Sequence, residues 1–360
     1  MRLELSPPGR SLAQQVITWQ RQRGRHGLPW QGVSDPYPVW LSEVMLQQTQ
    51  VTTVLGYFAR FMRRFPDVAS LAAAPLDDVL AAWSGLGYYS RARNLHRCAQ
   101  AVVAQHGGRF PRSGAALAEL PGIGPSTAAA IAAFCYGERA AILDGNVKRL
   151  LSRVFAFDGD LAERVHEQAL LTLARQELPQ RDMPAYTQGL MDLGATLCTQ
   201  RAPQCTRCPL ARRCQAHALG QEAAFPVRSR KLKRSRRSNA WLCLRQGSKT
   251  WLVQRPPSGV WGGLLSLPEF DSVPALLAQA RSLGWPGRAE PLAAVRHTLT
   301  HFDWELLPVR WRLPARLSAA QRLTIESTWP EGQWVGDDEV LERALPAPLR
   351  KLLSATGTQG

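Results

Sequence analysis

The pattern of apolar and polar positions changes near residue 230. Through residues 1–225, apolar residues recur at helical spacing in segments separated by short loops that contain Gly or Pro. The clearest segments are Leu71–Trp83, Ser126–Ala133, Leu161–Leu178 and Ala185–Leu197. Pro38 precedes the apolar run Val39–Val54 and suits the start of another helix. No β-rich block interrupts this half, so the pattern predicts an all-α domain.

The second half alternates with a period of two, which is typical of strands. The alternating segments are Asn239–Leu244, Thr250–Arg255 and His301–Leu313, and a Gly-containing turn at residues 246–248 joins the first two. Helical spacing returns over Val273–Ser282 and Pro348–Leu353. This mixture predicts a separate α+β domain over residues 238–355.

A basic segment lies between the halves. Residues 228–237 read RSRKLKRSRR, in which seven of ten are Lys or Arg. We expect a solvated linker over residues 226–237 that can also track phosphate. The whole chain carries 44 Lys and Arg against 28 Asp and Glu, a formal charge of +16. Its 360 residues suit two domains, and its charge favours a polyanionic partner such as nucleic acid.

Membrane and secretory signals are missing from the sequence. There is no run of 18 apolar residues, and Met1–Arg10 lacks the apolar centre of a signal peptide. We therefore expect no membrane association and a cytoplasmic monomer, close to nucleoid DNA, whose thiols stay reduced.

Four cysteines lie within 17 residues, at Cys198, Cys205, Cys208 and Cys214. Thiolates are soft ligands that suit zinc or an iron–sulfur cluster. Zinc sites more often use two matched C-x2-C pairs, and this segment has one. The spacing therefore favours a [4Fe–4S] cluster and leaves zinc open. Arginines interleaved with the cysteines suit contact with phosphate.

A glycine-rich turn, LPGIGPSTA, occupies residues 120–128. Gly122 and Gly124 permit a tight turn, and the helix that follows offers free N–H groups to phosphate. Asp144 comes 20 residues after Gly124 and opens the segment DGNVKR. An Asp in this position is commonly a helix N-cap. The turn, Asp144 and the four cysteines, in this order, indicate a class of protein more specifically than any one of these features does.

Residues 12–225 resemble the helix-hairpin-helix base-excision DNA glycosylases that carry an iron–sulfur loop, with the hairpin near residues 115–135 and the loop at residues 198–214. Within that superfamily, the segments WLSEVMLQQTQ at 40–50 and GLGYYSRARN at 85–94 resemble the adenine DNA glycosylases. Those enzymes hydrolyse the N-glycosidic bond of adenine mispaired with 8-oxoguanine. The resemblance extends over nearly the whole chain, and it implies a duplex DNA partner that contains A:8-oxoguanine or A:G.

Breaking an N-glycosidic bond requires an acid for the leaving base and a carboxylate for the cationic sugar. Glu43 lies in an apolar segment that would raise its pKa and keep it protonated. The resemblance places Glu43 at the residue that protonates adenine and Asp144 at the carboxylate that stabilises the sugar. Asn146 matches a residue that helps to organise this site.

The resemblance also implies the residues that contact DNA, because the base must leave the duplex before excision. Gln48 and Tyr88 match segments that wedge into the helix, Thr49 and Leu86 match contacts to the oxidised guanine, and Trp30 and Gln188 match the adenine pocket. Ser126 replaces the Lys with which endonuclease III-type lyases cleave the strand. That replacement predicts a monofunctional glycosylase. Lys148 is expected to contact phosphate or, more slowly, to trap an abasic site.

Residues 238–355 resemble the Nudix-like C-terminal domain of adenine glycosylases, in particular the segment RPPSGVWGGLLSLP at 255–268. The Glu-rich metal box of Nudix hydrolases does not follow Pro268, which argues against nucleotide hydrolysis. The resemblance implies 8-oxoguanine recognition by a Phe-Ser-His motif. Here that motif reads Leu299-Thr300-His301, so Thr300 and His301 keep its polar groups.

Three other functions stay open on the sequence. An endonuclease III-type lyase is disfavoured by Ser126 and by the large second domain. A nucleotide-pool hydrolase is disfavoured by the missing metal box. A noncatalytic, redox-sensing DNA-binding module is disfavoured by the pairing of Glu43 with Asp144.

Overall fold

The computed structural model describes residues 11–229 and 234–356, with the side chain of residue 356 excluded. The expectations for Met1–Arg10 and for linker residues 230–233 lie outside this range. The chain forms two compact units. Unit 1 contains residues 1–72 and 97–231, and unit 2 contains residues 73–96 and 232–360.

The helices before residue 230 confirm the all-α expectation. They are α1 Leu12–Arg23, α2 Pro36–Leu46, α3 Val51–Arg64, α4 Val68–Ala73, α5 Leu76–Trp83, α6 Ser90–His106, α7 Gly114–Leu117, α8 Pro125–Tyr136, α9 Gly145–Val154, α10 Arg164–Gln176, α11 Met183–Thr196 and α12 Gln215–Ala218. Short 3-10 turns occur at Cys205–Arg207, Ala211–Arg213 and Glu222–Ala224.

Two apolar runs that suggested single helices are each divided. Leu71–Trp83 divides at Pro75 into α4 and α5, because proline has no N–H to continue the helical hydrogen bonds. Val39–Val54 divides between α2 and α3, where Gln48 adopts a left-handed backbone with φ 58°. Helix α2 also starts earlier than Pro38 suggested, since Asp35 caps it through the Tyr37 N–H at 2.9 Å.

One large core holds unit 1 together. Helices α1, α8, α9, α10 and α11 contribute its buried residues, and α1 and α9 each pack against α11. Helix α9 shows how the sequence builds this core. Val147, Leu150, Leu151 and Val154 recur at helical spacing and are all buried.

Unit 2 contains a mixed sheet with helices, which confirms the α+β expectation. The strands are β1 Ser235–Gln246, β2 Lys249–Gln254, β3 Leu265–Ser266, β4 Glu269–Phe270, β5 Arg288–Pro291, β6 Val295–Thr298, β7 Phe302–Arg312 and β8 Gly332–Gly336. The helices are α13 Val273–Ser282, α14 Ala319–Thr328 and α15 Ala347–Thr356, and a 3-10 turn lies at Val340–Glu342. The main strand order is β3-β2-β1-β7-β5, and β1 and β7 run parallel.

Strand β1 starts at Ser235, within the segment expected to be a linker. Its first residues pair with β7, where Ser235 lies opposite Phe302. Arg237 is bound to Glu269 at 2.9 Å, so part of the basic run is folded into the sheet. Short-range alternation could not reveal this start, because the partner strand lies more than 60 residues later.

Residues 73–96 belong to unit 2, although their helical pattern suggested the first domain. Ser84 Oγ donates to Leu345 O at 3.0 Å, and Tyr89 Oη donates to the same oxygen at 3.2 Å. Arg93 Nη1 donates to Gly262 O at 2.5 Å. These bonds join residues far apart in sequence, which periodicity cannot detect.

Among the described residues, we find no helix with the length and apolar character required to span a membrane.

Candidate active site

An open cavity of about 570 Å³ lies on unit 1 beside α2. Glu43, Trp30 and Gln188 line it together, although they come from three separate parts of the chain. Trp30 is buried and packs edge-on against Phe58, with ring centroids 5.0 Å apart. The structure therefore brings both residues expected in the base pocket beside the expected acid.

Glu43 lies on α2, a helix whose neighbouring residues Ser42, Val44 and Met45 are buried. Burial raises the pKa of Glu43 from 4.5 to about 8, and the charge of Asp144 adds to this shift. The carboxyl group is therefore mostly protonated at neutral pH. A protonated carboxyl at a cavity wall can donate a proton to a bound base.

Asp144 is the N-cap of α9, and its Oδ1 accepts a hydrogen bond from Val147 N at 2.7 Å. Burial raises its pKa above 3.8, while the Val147 and Asn146 N–H groups and the charges of Arg149 and Lys148 oppose that rise. Because these groups stabilise the anion, Asp144 can carry a negative charge beside a protonated Glu43. One carboxylic acid and one carboxylate are thus available together.

Arg149 connects the Asp144 helix to the cysteine segment. Its Nη2 donates to Asn146 Oδ1 at 2.9 Å and to Gly194 O at 2.6 Å, and its Nε donates to Cys198 O at 2.7 Å. A Cβ atom on Gly194 would come within 2.8 Å of Asn146 Cβ, so α9 and α11 can approach this closely only with glycine there. Asn146 is therefore held from two sides.

The glycine-rich turn leads into α8 and supports the segment before Asp144. Gly122 has φ 77°, and both Gly122 and Gly124 are exposed. Ser126 Oγ accepts a hydrogen bond from Leu143 N at 3.1 Å. The turn is thus open to a ligand, and the Ser126 hydroxyl fixes the chain next to Asp144.

Lys148 is engaged by a carboxylate. Its Nζ lies 2.7 Å from Glu167 Oε1, with the Lys148 side chain 23% exposed. A contact from Lys148 to phosphate would compete with this ion pair.

The remaining expected DNA-contact residues divide between the units. Gln48 and Thr49 lie in unit 1, in the break between α2 and α3. In unit 2, Tyr88 is 47% exposed with φ 50°, and its Oη lies 3.1 Å from Thr300 Oγ1. Left-handed backbone at a non-glycine residue is strained and is often found at functional sites.

Two expected DNA-contact residues of unit 2 differ in accessibility. His301 is exposed. Leu86 is only 6% exposed, so its side chain packs inside unit 2.

The four expected cysteine ligands surround one small cavity in unit 1. Cys198 and Cys214 are buried, and Cys205 and Cys208 are half-buried. Apolar walls enclose the cavity, contributed by Leu150, Val154, Leu197 and Leu210. Four soft sulfur donors in an apolar setting fit a thiolate-bound metal centre.

The sequence pattern did not indicate the polar residues around this centre. Arg153 is buried, and its Nη1 donates to Cys198 Sγ at 3.4 Å. Arg153 therefore places a buried positive charge beside one of the expected ligand sulfurs. Cys205, His217 and Glu222 also bring one ligand atom each within 4.8 Å of one another. His217 Nδ1 is already paired with Glu222 Oε1 at 2.6 Å.

The sequence pattern also missed the residues behind Gln188. Asp192 is completely buried on α11, one turn after Gln188. Its Oδ1 accepts from Arg25 Nε at 2.6 Å and from Gln188 Nε2 at 2.8 Å. A buried carboxylate requires such partners, but their sequence separation hides them.

Two family models match the chain. Residues 41–176 match the HhH-GPD superfamily of base excision DNA repair proteins, and residues 239–355 match the NUDIX domain. The matches correspond to the helical half and to the α+β half.

Relatives that match nearly the whole chain are also found. The chain is 31% identical to the adenine DNA glycosylase of Buchnera aphidicola subsp. Schizaphis graminum, over 95% of this chain and 97% of that protein. It is 31% identical to the adenine DNA glycosylase of Homo sapiens, over 94% of this chain and 72% of that protein. Among solved structures, a thermostable thymine-DNA glycosylase is similar with a TM-score of 0.52 and 27% identity, over 57% of this chain and 95% of that one.

Proposed function

The chain belongs to the adenine DNA glycosylases, and from this premise we propose that it excises adenine mispaired with 8-oxoguanine or guanine in duplex DNA. The observation that carries the proposal is the raised pKa of Glu43, at the wall of the cavity and within the influence of Asp144. We assign the acid to Glu43 and the carboxylate to Asp144, because hydrolysis of an N-glycosidic bond uses one of each.

Glu43 acts as the general acid. A base flipped into the cavity lies beside Trp30, Gln188 and the protonated Glu43 carboxyl. Proton transfer to a ring nitrogen of adenine makes the base a better leaving group. Without the Glu43 carboxyl, the negative charge that develops on the departing adenine would not be neutralised.

Asp144 stabilises the sugar as its positive charge develops. The positive end of α9 and the Val147 N–H favour the anionic form of the carboxylate and oppose the effect of its burial. Asn146, held by Arg149 and packed on Gly194, fixes the first turn of that helix. A preorganised anion at this point needs no rearrangement during the reaction.

The DNA backbone binds at the hairpin, where Gly122 and Gly124 are exposed and α8 begins. Ser126 cannot form a Schiff base, which supports a monofunctional enzyme. Lys148 is held by Glu167, so neither phosphate contact nor abasic-site trapping is open to it until that ion pair breaks.

Recognition of the opposite base is assigned to unit 2. The Thr300 hydroxyl is exposed next to Tyr88, where it can bond to the oxidised edge of guanine. His301 is exposed at the same hairpin. In unit 1, Gln48 is assigned to duplex opening and Thr49 to contact with the opposite base. For the domains, we propose a glycosylase domain within residues 1–225, a recognition domain that begins with β1 at Ser235, and a linker between them that is shorter than the expected 226–237.

The cysteine segment holds a [4Fe–4S] cluster through Cys198, Cys205, Cys208 and Cys214. When bound, the cluster links the segment covalently and supports its shape. Arg149 then connects that segment to the helix of Asp144. Metal analysis of anaerobically purified protein should give about four iron atoms per chain. A result of one zinc atom per chain and no iron would show that the segment is a zinc site and would contradict the cluster.

The function is tested by single-turnover base release from duplexes with A:8-oxoguanine, A:G and A:T pairs, with and without alkaline treatment. We expect adenine release that is fastest from A:8-oxoguanine, with strand breaks only after alkali. Strand breaks without alkali would support a lyase and direct attention to Lys148. Failure to release adenine from every duplex would overturn the proposal.

A further inference from the structure

Asp192 collects three N–H donors at a completely buried position. Its Oδ1 accepts from Arg25 Nε at 2.6 Å and from Gln188 Nε2 at 2.8 Å, and its Oδ2 accepts from the Arg25 backbone N at 2.8 Å. In all three hydrogen bonds the Asp192 carboxylate is the acceptor. The Arg25 guanidinium balances the buried charge, so the carboxylate is fixed in place.

This arrangement determines which way the Gln188 side-chain amide faces. A carboxylate oxygen can only accept, so the amide must turn its NH2 group toward Asp192. The amide oxygen, Oε1, is then the side-chain polar atom of Gln188 that is not bonded to Asp192, and Gln188 is one of the residues that line the cavity. Within residues 11–229 and 234–356, no group donates a hydrogen bond to this Oε1. The cavity therefore presents an unoccupied hydrogen-bond acceptor.

We propose that Asp192 is a positioning residue for base selectivity: by fixing the amide of Gln188, it makes the cavity select a purine with an exocyclic amine and reject one with a 6-oxo group. Adenine presents the N7 acceptor and the N6 amine donor along one edge. Guanine and hypoxanthine present O6 in place of the amine, and O6 facing Gln188 Oε1 is repulsive. The donor for N7 is the Glu43 carboxyl across the cavity.

This inference rests on the proposed function, since it assumes that adenine enters the cavity. The proposed role of Asp192 is separate from the catalytic step, because Asp192 acts through Gln188 and does not touch the base. Gln188 without Asp192 would not explain selectivity for an exocyclic amine, since a free glutamine amide can rotate and offer either a donor or an acceptor.

The test is the ratio of single-turnover release rates for adenine and for hypoxanthine, each placed opposite 8-oxoguanine. Asp192→Asn is nearly isosteric, and its own amide can accept from or donate to Gln188, so both orientations become possible. We expect the ratio to fall at least about tenfold. Arg21→Gln removes the exposed ion pair to Asp182 and leaves Asp192 with all three of its donors, so its ratio should stay within about twofold of wild type.

A double-mutant cycle separates positioning from general loosening. Gln188→Met removes the amide and should lower the ratio by itself. Asp192→Asn in that background should then change the ratio by less than about twofold, because it has no amide left to orient. If Asp192→Asn does not fold, Gln188→Met still tests the inference, since an unchanged ratio in that variant would overturn it.

The outcomes distinguish this inference from the function beneath it. Wild-type protein that releases no adenine overturns the proposed function. Adenine release with the wild-type ratio in Asp192→Asn overturns the role of Asp192 alone. A comparable fall in Arg21→Gln also overturns it, because the loss of an ion pair that does not touch Gln188 would then suffice.

Discussion

The Ser126 hydroxyl accepts a hydrogen bond from the Leu143 backbone N–H at 3.1 Å, one residue before Asp144. Ser126→Ala leaves this N–H without its acceptor. We expect the free energy of unfolding to fall by about 1 kcal/mol and the excision rate to fall several-fold. Denaturant unfolding and single-turnover release measure the two effects.

Thr127→Ala is the matched control for Ser126→Ala. It removes the neighbouring hydroxyl, which makes no hydrogen bond with the described residues. Equal effects of the two substitutions would contradict a special role for the bond to Leu143.

The pH dependence of excision follows from Glu43. The acid works when protonated, and its pKa is about 8, so the single-turnover rate should be flat near neutral pH and decline above pH 8. Asp144 works when ionised and its pKa lies above 3.8, so the rate should also fall on the acidic side. A rate that keeps rising above pH 8 would exclude Glu43 as the acid.

Glu43 should also make stability depend on pH. Its pKa is about 8 in the folded chain and 4.5 in its ordinary state, so the folded protein binds the extra proton between these values. The stability that this proton contributes is complete below pH 4.5 and is lost as the pH rises through 8. Glu43→Gln should therefore increase the free energy of unfolding at pH 9 by an amount on the order of a few kcal/mol. Its melting temperature at pH 9 should rise accordingly.

At pH 5 the wild type and Glu43→Gln should melt at nearly the same temperature, because Glu43 is then protonated. Thermal melts at pH 5 and pH 9 provide the measurement. A difference between the two proteins that is independent of pH would contradict the raised pKa.

Lesion preference should depend on the bond between Tyr88 and Thr300. Thr300→Val and Tyr88→Phe each remove one of its hydroxyls, and we expect a several-fold loss of preference for A:8-oxoguanine over A:G. Release from A:G should change little. Thr298→Val in the same hairpin is the control, since the Thr298 hydroxyl bonds to Asp303 instead. A similar loss in all three variants would indicate a general disturbance of the hairpin.

Much of the fold could be predicted because it depends on local patterns. Helix α13 has the predicted bounds, and α8 and α9 begin at Pro125 and after Asp144, as proline and N-cap preferences indicate. The four cysteines lie around one cavity because short turns connect them. Glu43 lies beside the cavity because the apolar segment around it forms a buried helix.

The features that could not be predicted depend on partners far away in the chain. Asp192 and Arg25 are separated by 167 positions, and periodicity carries no information about their pairing. The same holds for Tyr89 and Leu345, which place residues 73–96 in unit 2. At Pro75 and Gln48, a single backbone restriction outweighed a continuous apolar pattern.

The most direct test of the account is single-turnover adenine release by Asp144→Asn from an A:8-oxoguanine duplex. Asparagine is as good an N-cap as aspartate, so α9 should stay intact while the negative charge is lost. We predict that release falls by about a hundredfold or more, while duplex binding changes by no more than a few-fold. Release at the wild-type rate would contradict the account, because Asp144 would then have no part in the reaction.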